Sequence, residues 1–201
     1  DFCLSRGLGD VYKRQRPDGT RLLKERDRDS RTMEAFQSYR MEQAGQITHI
    51  QTADGVKQFV KDAVRVPDKQ LYHTRMHFEW QQGEALYGLG QHEEGVLNLR
   101  GHQVYLHQAN RKIAIPLLVS SLGYGILMNT SSTMIFSDTE YGSYLYTEAV
   151  PQLDFYFING DGMDGVVREY RRLTGKASML PRWAFCLLYT SPSPRDRQKS
   201  R

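Results

Sequence analysis

Between residues 71 and 80 apolar and polar side chains alternate. Tyr72, Thr74, Met76, Phe78 and Trp80 fall on one side, and Leu71, His73, Arg75, His77 and Glu79 on the other. A period of two predicts a strand of an antiparallel sheet with one face on the core. Residues 32–41 and 46–52 alternate in the same way and precede a turn at Ala53-Asp54-Gly55. Further strands are predicted at 104–107, 113–120, 124–129, 133–137, 143–146 and 152–158. The run at 113–120 is almost wholly apolar, which suits a central strand. Pro116 within it predicts a bulge or a local edge, since proline has no ladder donor. Short strands punctuated by Gly, Asn and Ser predict a mainly β protein, an antiparallel sandwich rather than βαβ units.

One helix is predicted, starting at Asp161 or Asp164 and ending at Thr174. An aspartate there caps free N–H groups and complements the dipole. Val166, Val167, Tyr170, Leu173 and Thr174 form the expected inward stripe, and Gly175 supplies the positive-φ end. Residues 16–32 are dense in charge and predict a solvated turn. Residues 86–101, LYGLGQHEEGVLNLRG, carry Gly88, Gly90 and Gly95. These permit φ > 0 or close backbone approach. The stretch reads either as a glycine-rich connection between strands or as a binding turn presenting Gln91 and His92.

The two ends change what composition means. Residues 5–15, SRGLGDVYKRQ, and 186–196, CLLYTSPSPRD, back-translate with suitable codons as reverse complements. Both resemble translated library-adapter sequence, so residues 1–15 and 186–201 are expected to be non-native and are set aside. They carry seven basic residues against three acidic ones, the whole of the formal +4. The remainder is neutral, so a basic pI gives no argument for nucleic acid or an anionic membrane. Cys3 and Cys186 also lie in these ends, which removes disulfides and thiolate chemistry from consideration. No apolar run approaches the roughly eighteen residues of a membrane span.

Local chemistry offers little. Glu93 and Glu94 are adjacent and point to opposite faces of a strand. Asp161 and Asp164 read as helix-start residues, and Asp138 and Glu140 as solvated residues bracketing a turn. His73 and His77 share a strand face but stand about 13 Å apart, too far to hold one ion. His92-Glu93-Glu94 lacks the second histidine of a zinc-protease motif. No metal ligands and no cofactor are predicted.

YGLGQ at 87–91, NLRG at 98–101, IPLLVSSLGYGIL at 115–127 and LDFYFINGDGMDGVVREYRRLTGKASMLPRWAF at 153–185 together resemble the N-terminal β-sandwich of glycoside hydrolase family 31. The likeness is strongest to its α-xylosidases and α-glucosidases and extends over roughly residues 20–185. The resemblance implies a galactose mutarotase-like sandwich at 16–175. Residues 176–185 would be a linker into a (β/α)₈ barrel that this chain lacks. It also implies retaining hydrolysis by two aspartates on that barrel. No position here matches either motif, so no catalytic residue is assigned. In the family a sandwich loop leans over the barrel mouth; the matching segment is residues 106–112, with Gln108, Asn110 and Arg111 as sugar-binding candidates. Gln91 and His92 are second candidates, and the alternative is that these groups satisfy turn and interdomain backbone. An α-linked oligosaccharide and the intramolecular barrel are the implied partners, with neither nucleic acid nor membrane. The rival reading is a non-catalytic carbohydrate-binding sandwich.

Overall fold

The computed structural model describes residues 13–42, 47–60 and 64–181. Both cysteines, the adapter-like residues 1–12 and 186–201, and the linker beyond residue 181 lie outside them, as does Gln46. Among the described residues the chain passes through β1 (Lys13–Gln15), β2 (Arg21–Lys24), β3 (Arg31–Glu42), β4 (Ile47–Thr52), β5 (Gly55–Val60), β6 (Val64–His77), β7 (Leu86–Gln91), β8 (Gln103–Leu106), β9 (Ile113–Ser120), β10 (Tyr124–Met128), β11 (Met134–Thr139), β12 (Gly142–Val150), β13 (Phe155–Asn159) and α1 (Gly162–Thr174). Pairing is antiparallel throughout. A four-stranded sheet ordered β13-β10-β9-β7 faces a five-stranded sheet ordered β3-β6-β12-β11-β8.

The predicted alternation builds the core. Thr74, Met76 and Phe78 are buried on β6 and just beyond it, beside Leu145 on β12, Met134 and Phe136 on β11, and Leu106 on β8. The opposite sheet contributes Leu86, Leu89, Leu118, Tyr124, Ile126 and Met128. Each large apolar side chain removed from water here contributes about 1.5–3 kcal/mol. The polar Thr74 and Thr147 pair their hydroxyls across the two strands at 2.6 Å.

β9 lies inside its sheet, and its second half, residues 117–120, is buried on both faces, whereas Ile113 and Ile115 in its first half are exposed. Leu118 turns to the core, while Leu117 and Val119 cluster with Ile158 of β13 and Val166 of α1. Pro116 lies where β7 slips register, Gly88 pairing with Leu118 but Gly90 with Ala114. Three small residues let the helix settle. A Cβ on Gly125 would stand 2.7 Å from Val166 Cγ1, and one on Gly160 would stand 2.2 Å from the Val166 nitrogen. Gly165 packs back onto Gly160.

Several expectations need correction. The glycine-rich 86–91 is neither turn nor connection but strand β7, its alternation hidden by the bulge that buries Leu89 at φ 61°. The charge-dense 16–32 is not simply a solvated turn. β2 buries Leu22 and Leu23, and Glu25 beyond it is 3% exposed under a two-pronged ion pair from Arg31 at 2.9 and 2.6 Å. Gly55–Val60 and the first half of β6 are strands that weak apolar alternation did not predict. Residues 152–154 precede β13 instead of belonging to it. Asp161 occupies the position before α1, but its side chain makes no capping hydrogen bond. Val167 and Leu173 are exposed; the buried helix face is Gly165 and Val166.

Candidate functional site

The five candidate polar residues lie on two segments that the β7–β9 ladder joins. Gln91, the last residue of β7, pairs with Ile113, the first of β9. Such close pairing needs glycine, since a Cβ on Gly90 would stand 1.9 Å from the Ile113 carbonyl oxygen and one on Gly88 2.4 Å from that of Leu117. Residues 107–112 form a tight reversal closed by a bridge between Ala109 and Lys112. Asn110 and Arg111 sit at its tip, with Arg111 at φ 66°.

Two ion pairs tie the reversal to the segment after β7. Arg111 meets Glu93 at 2.9 Å and Lys112 meets Glu94 at 2.5 Å. The Lys112 hydrogen bond holds the Glu94 carboxyl below its ordinary value. Both pairs are solvent-facing and contribute positioning more than stability. Gln108, Asn110, Arg111 and Gln91 are exposed. The Gln108 amide donates to Lys112 O at 2.8 Å, and His92 Nε2 lies 2.8 Å from Leu89 O. Gln108 and His92 each thus also contact the backbone of their own turn. The fold gathers all five residues on one rim of the sandwich.

At the other end of the sandwich the NLRG motif links the two sheets. Asn98 Oδ1 accepts the Leu86 and Arg100 N–H groups, and Leu99 is buried in the core. Arg100 donates to Asp138 Oδ2 at 2.8 Å, to Glu84 O at 2.9 Å and to Gln81 O at 3.3 Å. Asp138 also accepts from the Gly101 N–H at 2.8 Å and from the Ser143 hydroxyl. It is therefore a buried structural acid, 7% exposed, and not the solvated turn residue expected. Burial pushes its carboxyl up, but the bonds from Ser143, Gly101 and Arg100 outweigh this and leave it below the usual carboxylate value.

Beside it, Glu84 Oε1 accepts the Ser120 and Tyr124 hydroxyls, each at 2.6 Å, and Oε2 accepts the Gln81 N–H at 2.7 Å. Burial, then the charge and hydrogen bond of Glu84, push the Tyr124 phenol well up. Neither network was legible in sequence, because its members are scattered from residue 81 to residue 143.

The buried carboxylates Glu25, Glu84 and Asp138 are each saturated by donors, and that leaves none poised to protonate a leaving group. His73 stacks on Phe36 at 4.3 Å and lies 3.2 Å from the Tyr146 hydroxyl, while His77 rests against Tyr144. Among the described residues no three His, Cys, Asp or Glu side chains cluster as a metal site. No described helix is long and apolar enough to cross a membrane.

No family model matches the chain. It is 40% identical over 123 residues to an α-xylosidase of Saccharolobus solfataricus, covering 57% of this chain and 17% of that one. It is 33% identical over 110 residues to an uncharacterized family 31 glucosidase of Pseudescherichia vulneris, covering 55% and 21%. A family 31 α-xylosidase from a soil metagenome, solved with xylose, superposes with a TM-score of 0.59 at 23% identity, over 84% of this chain and 23% of that one. That superposition shows a shared fold. The chain spans about a fifth of the length of these curated relatives. In sequence the chain is thus similar to an α-xylosidase and a family 31 glucosidase over part of their length, and it shares the sandwich fold of a family 31 α-xylosidase.

Proposed function

We propose that this chain is the N-terminal sandwich portion of a retaining α-glycosidase of α-xylosidase type, whose catalytic carboxylates lie in a barrel outside it. The observation that carries the reading is the 40% identity to an α-xylosidase, confined to 17% of that enzyme. Retaining hydrolysis needs two carboxyl groups about 5–5.5 Å apart, one as nucleophile and one as acid and base. The buried carboxylates of this sandwich are committed to structural donors and suit neither role. The non-catalytic alternative is not favoured, because the named relatives are glycosidases and glucosidases.

In this reading residues 16–175 are the native sandwich and 176–185 the linker to the barrel. Residues 1–15 and 186–201 are adapter-derived. The pairing of β1 with β2 is compatible with that boundary, because ladder bonds come from backbone whatever its origin. The rim carrying Gln108, Asn110 and Arg111, with Gln91 and His92 beside it, forms one wall of the saccharide cleft. There amides and a guanidinium offer paired donors and acceptors to sugar hydroxyls.

The test is hydrolysis of aryl α-xyloside and α-glucoside by the purified chain, with circular dichroism and a cooperative melt establishing that it is folded. The folded chain should give no turnover, and turnover at enzyme-like rates would overturn the proposal. Resequencing the source DNA without adapters should extend the reading frame into a barrel. A natural stop just after residue 185 would count against it.

A further inference from the structure

Two clefts lie at the same end of the sandwich as the rim; Gln108 lines the first, while Asn110 and Arg111 line neither. The first, about 370 Å³, is lined by His107, Gln108 and residues 130–134, over a floor that includes Leu106, Ala114 and Pro116. The second, about 450 Å³, lies between Lys69, residues 129–132, Gln152 and Asp154. Thr130, Ser131 and Ser132 line both, so the two clefts adjoin along one hydroxyl-bearing loop. Each is within the roughly 300–1,000 Å³ typical of small-molecule sites.

The loop between them is held rigid. The Asn129 N–H donates to Asp154 O at 3.0 Å and its side-chain amide to Asp154 Oδ2 at 2.6 Å. On the other flank the Ala149 N–H donates to Ser132 Oγ at 2.9 Å, and the Glu148 N–H to Thr133 O at 3.0 Å. Such bracing lowers the entropy cost of binding. Other polar groups remain available. The side chains of Ser131, Thr133 and Gln152 make no hydrogen bond with any described residue. The first cleft holds no charged residue, and the second balances Lys69 against Asp154. Clefts carrying hydroxyl and amide groups beside apolar Leu106, Ala114 and Pro116 match a pyranose, with its polar edges and apolar face.

We propose that these adjoining clefts form an accessory binding site for neutral oligosaccharide, one that shares Gln108 with the rim but not Asn110 or Arg111. It goes beyond the glycosidase reading.

The test titrates the ¹⁵N-labelled full chain with maltotriose and with isomaltotriose, following backbone amides. Saturable shifts confined to residues 107–108, 130–134 and 149–154 are expected with one or both sugars. Thr133→Val with Gln152→Ala should weaken that binding at least tenfold, leaving the remaining spectrum and the melting temperature unchanged. Gln152→Ala alone, at an exposed position, keeps the test decisive should Thr133→Val unfold the chain. No shift with either sugar up to about 50 mM, far above a millimolar Kd, would overturn the proposal. So would equal shifts with inorganic phosphate, which would make this an anion site at Lys69.

Discussion

Replacing Arg100 by methionine should cost about 3 kcal/mol of folding stability, because Arg100 is the cation that joins the two sheets. Methionine keeps a long apolar stem but removes the guanidinium. Lost with it are the 2.8 Å bond to the Asp138 carboxylate and the bonds to Glu84 O and Gln81 O. Breaking a buried pair costs about 3–5 kcal/mol. The lower end applies, since Ser143 and the Gly101 N–H still serve Asp138 and the Arg100 side chain is 31% exposed. At about 2–4 °C per kcal/mol for a domain of this size, Tm should fall by about 6–12 °C.

Urea unfolding at pH 7 measures the cost, and a cycle with Asp138→Asn should give a coupling of at least about 1 kcal/mol. The pH dependence is a second check. The folded Asp138 carboxyl titrates below its ordinary 3.8, so its contribution is present above that pH and lost as pH falls through the folded value. The gap between wild type and variant should therefore narrow below about pH 4. A cost under about 1 kcal/mol with no coupling to Asp138 would refute the clamp.

Gly90→Ala should destabilise by more than about 3 kcal/mol, because its Cβ would meet the Ile113 carbonyl oxygen and force β7 off β9. Gly83→Ala is the control: also at positive φ but with nothing within 4 Å, it should cost only about 1–2 kcal/mol, and equal costs in urea would sink the close-approach argument. Tyr124→Phe should lose about 1–2 kcal/mol at pH 7 by removing a donor from Glu84. Burial raises the folded Tyr124 phenol, so its contribution is full below the ordinary value of 10 and is lost as pH rises beyond it. The phenylalanine variant should show an alkaline decline shallower by up to about 1.4 kcal/mol per pH unit, and identical slopes would refute this assignment.

The amino-acid sequence alone determined the sandwich. Alternation at 71–80 chose the face that buries Thr74, Met76 and Phe78, and the apolar run at 113–120 announced a strand inside its sheet. Those are local patterns, written in neighbouring residues, although Ile113 and Ile115 at the start of that run stay exposed. The tertiary structure decided the rest. Strand β7 was hidden because its glycines answer to carbonyl oxygens of β9, more than twenty residues away. Glu25 and Asp138 looked like solvated charges because the partners that desolvate and satisfy them arrive only on folding. The gathering of Gln91 and His92 with Gln108, Asn110 and Arg111 likewise depends on one ladder, Gln91 against Ile113. Side-chain period is a property of the chain, whereas burial of a charge and convergence of distant loops are properties of the packed sheets.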